Sequence, residues 1–207
     1  MIKDGTLTCA LTGTAIAALM LSTPANTANT TVLLKTVHGI DMTADTLGQI
    51  TLTTTNPGST AANLQTTAIR QGDTLLPVTP RDSTRSADSI TINRGTATET
   101  ITATADGAEQ SWSFPHAPGT SGDLTISIQT TGLTYHDTTT NGLHLQQTDI
   151  LDLSYSTGTW IDAHAHRWLV PARFEHGLIL LTVPAQALAE TTYPATLDPQ
   201  IVVDPLT

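Results

Sequence analysis

The chain is predicted to be all-β: an antiparallel β-sandwich-like unit, in one lobe or two, with one short helix near the C-terminus. Three observations carry this expectation. Apolar residues recur with a period of two in short runs. In "LTISIQTT", Leu124, Ile126 and Ile128 point to one side and Thr125, Ser127 and Gln129 to the other. Clusters of Gly, Pro, Asn and Asp break these runs at intervals of roughly 8–12 residues, the spacing of a sandwich or barrel. Thr makes up about a fifth of the 207 residues. Its β-branched side chain loses rotamer freedom in a helix and packs well on a pleated sheet.

The first segment reads as a signal, with a buried strand or an uncleaved anchor as the alternative. It starts with Lys3, continues as an uncharged apolar run from Leu7 to Leu21, and ends in Ser22-Thr23-Pro24-Ala25, with small residues where a signal peptidase needs them. Residues 1–25 therefore read as a secretory signal peptide. Their apolar run is shorter than the roughly 20 residues of a membrane-spanning helix. The single Cys9 lies inside this segment, so a chain cut after Ala25 has no disulfide. The expected location is secreted or cell-surface, on a bacterium, with no membrane span once the signal is removed.

The β-type runs then follow in order. "TVLLKTV" begins at Thr31, and "QITLTTT" is closed by Asn56-Pro57-Gly58. "TTAIRQGDTLLPV" holds a hairpin turn at Gly72-Asp73. The polar stretch "RDSTRSADS", from Arg81, divides an N-terminal β lobe (26–88) from a β-sandwich lobe (89–207). In the second lobe, "SITIN", "TETITATA" and "EQSWSF" are punctuated by Arg94-Gly95 and Asp106-Gly107. After a Pro- and Gly-rich loop from Pro115 to Gly122 come "DLTISIQTT", "GLTYHD", "GLHLQQ", "DILDLSYS", "TWIDA", "RWLVPARFE" and "GLILLTV". "PAQALAETT" is the one helical segment, with Pro184 at its start. No repeat of fixed period and no βαβ unit is present.

Charge narrows the partners. Eight basic residues against 18 acidic ones give a formal net charge of −10, and the arginines are scattered. Without a basic stripe, nucleic acid and anionic membrane surfaces are poor partners. An extracellular protein or glycan is the remaining partner class. No P-loop, G-x-G-x-x-G or G-x-S-x-G occurs, so no cofactor and no catalytic residue is expected.

One stretch argues for chemistry. "IDAHAH" places Asp162, His164 and His166 as metal hydrolases often do, with two imidazoles on one strand face. The barrel that houses such a site needs roughly 250 residues and opens with this motif. Here the motif lies near the end of the chain, followed only by His176 as a further imidazole. The simpler reading is a hairpin: strand "TWID", turn "AHAH", strand "RWLVPARF". Asp162, His164 and His166 are then turn residues and no metal is expected. His38, His116, His136 and His144 fall singly in polar stretches, as surface residues do. Two acidic pairs, Asp149 with Asp152 and Glu99 with Glu109, have nothing nearby in sequence to perturb them. Trp112, Trp160 and Trp168 lie in β-type runs and are expected as core anchors rather than a sugar-stacking platform.

Two stretches carry a resemblance. "INRGTATETITATADGAEQSWSFPHAPGTSGDLTISIQTTG" and "LDLSYSTGTWIDAHAHRWLVPARFEHGLILLTVPAQALAETTYPATLDPQI" resemble an N-terminal β-rich module of large exported bacterial repeat proteins of the FG-GAP or RHS type. The likeness rests on the R-G turn, the Asp162-Ala163 turn with Arg167, and the closing Tyr193-Pro194 and Asp198-Pro199. It covers most of residues 90–205. The resemblance implies a non-catalytic structural or adhesion-type module. The alternatives are an extracellular glycan- or protein-binding module and, behind it, a metal-dependent hydrolase acting through "IDAHAH".

Overall fold

The computed structural model describes residues 30–54, 60–119, 121–147 and 151–204. It is an all-β fold of two antiparallel sheets with one short helix. The signal segment read at 1–25 and the turn read at Asn56-Pro57-Gly58 lie outside these residues. The strands are β1 (Thr31–Val37), β2 (Ile40–Asp45), β3 (Gln49–Thr54), β4 (Ala62–Gln71), β5 (Thr74–Leu76), β6 (Asp82–Arg85) and β7 (Ser89–Asn93). Next come β8 (Thr98–Ala103), β9 (Gly107–Phe114), β10 (Leu124–Thr131), β11 (Thr134–Thr139), β12 (Gly142–Gln147) and β13 (Leu151–Tyr155). The last are β14 (Gly158–Ile161), β15 (Arg167–Val170), β16 (Ala172–Glu175), β17 (Leu178–Val183), helix α1 (Ala185–Glu190), β18 (Ala195–Leu197) and β19 (Gln200–Asp204).

The first sheet runs β1-β2-β3-β4-β10-β17-β16, with β5 also on β4. The second runs β11-β12-β13-β19-β9-β18-β14-β15, and the ribbon β6-β7-β8 joins it along β9. Residues on both sides of position 88 share each sheet. β4 pairs with β10 in one, and β6 with β7 in the other. The polar stretch 81–89 is therefore not where the sheets divide. Its first half is itself an edge strand, which tolerates polar residues on both faces.

The alternation of "LTISIQTT" is realised as expected: Leu124, Ile126 and Ile128 are fully buried. They sit between β4 and β17, whose Ile69, Ile179 and Leu181 are buried beside them. The second sheet contributes Ile90, Ile92, Ile101, Phe114, Leu145, Leu153 and Val203 to the same hydrophobic cluster. Trp112 and Trp160 are fully buried within it, and Trp168 is packed against it, half-buried. No indole pair is left on the surface to stack on a sugar.

Two elements depart from the sequence reading. β2 arises from "IDMTAD", whose Thr and Asp residues hide the alternation of Ile40, Met42 and Ala44, all buried. The C-terminal segment after Tyr193 forms two strands rather than one continuous run. β18 pairs with the far half of β9 (Leu197 with Trp112), and β19 with the near half (Gln200 with Glu109). The chain shifts between them at Asp198-Pro199, where the proline has no N–H to give a ladder. The Tyr193–Pro194 peptide is cis.

Candidate functional site

The "IDAHAH" stretch is a hairpin tip. Trp160 pairs with Trp168 and Ile161 with Arg167, so β14 and β15 flank the turn. Asp162 organises it. Its Oδ1 accepts the backbone N–H groups of His164 (2.8 Å) and His166 (2.9 Å), and its Oδ2 accepts that of Thr192 (3.2 Å). Ala165 completes the reversal at φ +64. Burial would raise the Asp162 pKa, but the three N–H donors, with His166 alongside, hold it below the ordinary carboxylate value. Its side chain faces inward, whereas His166 is 65% exposed. The two imidazole rings stand 6.1 Å apart, nearly perpendicular. The structure thus brings Asp162, His164 and His166 together, with the carboxylate already committed to the backbone. His176 lies instead in the β16–β17 turn, at φ +50.

A different imidazole pair converges on the outer face of the second sheet. His136 and His144, which the sequence presents as isolated, meet because β11 and β12 pair with a bulge. The register runs Tyr135 with Leu145, then Asp137 with His144, leaving His136 as the extra residue. In an unbulged strand, neighbouring side chains take opposite faces. The bulge re-aims them, and both His136 and Asp137 face His144. The His144 Nδ1 lies 3.1 Å from Asp137 Oδ1, and His136 Nδ1 lies 3.6 Å from the same oxygen. The two rings are 5.0 Å apart, edge to face. On the other side of the ring, His144 Nε2 makes a short contact with Asp152 Oδ1 on β13. Gln146 Nε2 donates to Asp152 Oδ2.

Burial acts to lower the His144 pKa, but hydrogen bonds and charge from Asp152 and then Asp137 outweigh it and raise it. Sequence reasoning missed this cluster because the signal is a register shift, which no local pattern reveals.

A third group of polar residues lies between the sheets. Glu99 on β8 is fully buried. It accepts from Arg94 Nε (2.6 Å), from Thr66 Oγ1 on β4 (2.8 Å) and from Gln110 Nε2 on β9 (2.7 Å). Arg94 also donates to the carbonyl oxygens of Val78 and Leu47, and Tyr155 OH donates to Gln110 Oε1 at 3.0 Å. Burial, and then the Glu99 carboxylate, push the Tyr155 phenol well above its usual value near 10. Glu109, grouped with Glu99 from sequence, is on the outward side of β9. There burial and then Asp198 raise its pKa. Asp149, grouped with Asp152, lies outside the described residues.

Comparison with protein-family models, curated proteins and solved structures finds no match to the chain.

Proposed function

We propose that the chain is a non-catalytic structural or adhesion-type module of a secreted or cell-surface bacterial protein. The observation that carries this reading is the interior. Arg94, Glu99 and Tyr155, buried there, bond to one another or to Thr66 and Gln110 and tie one sheet to the other. A satisfied buried polar network rigidifies a core and fixes its geometry, which suits a load-bearing or spacing element. The commitment of Asp162 to backbone N–H groups supports the same reading against a hydrolase. The signal-like first 25 residues and the resemblance to exported repeat proteins support export. Expression of the chain from Met1 in a bacterial host tests this. Recovery outside the cytoplasm with a new N-terminus at Asn26 is expected, and an intact chain confined to the cytoplasm contradicts it.

A second reading is an extracellular binding module, and one observation favours a protein over a glycan as its partner. Leu169 is 76% exposed on β15, which among the described residues pairs with β14 alone and ends the sheet. An open edge accepts an added strand through main-chain hydrogen bonds. On this reading Leu169→Lys abolishes capture of an extended peptide; on the structural reading it changes nothing.

A further inference from the structure

We propose that His136, Asp137 and His144 form a binding site for one divalent transition cation of the zinc class. The argument starts with the donor set. Two imidazoles and one carboxylate suit Zn²⁺ and its neighbours, whereas Ca²⁺ and Mg²⁺ take oxygen ligands in greater number. Spacing is the second support. Bonds of about 2.0–2.1 Å to a tetrahedral zinc place its ligand atoms about 3.3 Å from one another. The His144 Nδ1 to Asp137 Oδ1 and His136 Nδ1 to Asp137 Oδ1 separations, 3.1 and 3.6 Å, bracket that value. One donor atom from each residue lies within 4.8 Å of the others. His136, 56% exposed, has room to swing inward.

The surroundings are also those of a metal ligand. Asp152 engages the Nε2 side of His144, and Gln146 holds Asp152 in turn. A carboxylate on the far nitrogen orients a ligating imidazole and turns its other lone pair toward the metal. The other nitrogen, Nδ1, faces Asp137 Oδ1 at hydrogen-bond distance, so a bound cation takes the place of the proton shared there. The bulge that creates this convergence is on an edge strand whose six residues are all exposed. The cation therefore pins β11 to β12 and keeps at least one coordination position open to water.

The test is calorimetric titration of ZnCl₂ into the full chain after chelator treatment, with far-UV circular dichroism as the fold control. One zinc per chain is expected. Asp152→Asn should weaken binding by about 10–100-fold, the usual effect of removing an outer carboxylate. His136→Ala and His144→Ala should weaken it further. The double variant His164→Ala with His166→Ala should leave the isotherm unchanged. If His144→Ala perturbs the fold, His136→Ala decides, because that side chain lies exposed on the edge. The absence of saturable heat overturns the proposal. So does zinc binding that survives His136→Ala, binding lost in the His164/His166 variant, or equal affinity for Ca²⁺.

Discussion

Arg94 Nε donates to Glu99 Oε2 at 2.6 Å between the two sheets, where Arg94 is 2% and Glu99 0% exposed. Removing one partner strands the other as a buried charge, which costs about 3–5 kcal/mol in comparable pairs. Arg94→Met should therefore lower the urea midpoint severely. Arg94→Met combined with Glu99→Leu should recover part of the loss, because no charge then stays buried. A double variant whose loss equals the sum of the two single losses would show that the pair is not coupled.

At the hairpin tip, Asp162 should act as an acid-sensitive brace. Its pKa is depressed in the folded chain, so its contribution is present above the ordinary carboxylate value, about 4. That contribution is lost as pH falls through the lower folded value. Asp162→Asn keeps an acceptor but no charge, and should melt earlier than the parent at pH 7. The difference should shrink on acidification below about pH 4. A gap that stays constant with pH would contradict the charge assignment.

Gly107 opens β9 directly against β19. A Cβ there would stand 2.0 Å from the Ile201 carbonyl oxygen, an atom of backbone that cannot swing aside. Gly107→Ala should cost about 1–3 kcal/mol by overpacking and loosen β19, raising amide exchange at Val202 and Val203. Wild-type exchange at those positions would show that the strands accommodate the methyl group.

Much of this was legible in the sequence, and the reasons differ by site. The period-two beat gave the strands and the inward Leu124, Ile126 and Ile128. The hairpin at Asp162 was legible because too little chain and too few further ligands follow it to build a barrel site. Glu99 was legible in principle: it shares the parity of Ala97 and Ile101, both buried, so alternation alone points it inward. Its partner Arg94 was hidden in what read as a surface R-G turn. The His136–His144 convergence depends on the register between two strands, and the joining of the two expected lobes depends on β4 meeting β10. The first is a bulge inside a local hairpin, which the period of the residues does not show; the second is a long-range pairing, set by packing across the interior rather than by any window of residues.

The two sheets share one interior and should unfold as a single body. Trp112, Trp160 and Trp168 all belong to the second sheet, and Trp112 and Trp160 are buried in the shared interior, so indole fluorescence follows the packing of that interior, while far-UV circular dichroism follows the strands of both sheets. In one urea titration the two signals should give superimposable transitions with a common midpoint, the mark of a cooperative unit. A separated fluorescence transition, with part of the β signal lost at another urea concentration, would show that the sheets unfold as two bodies.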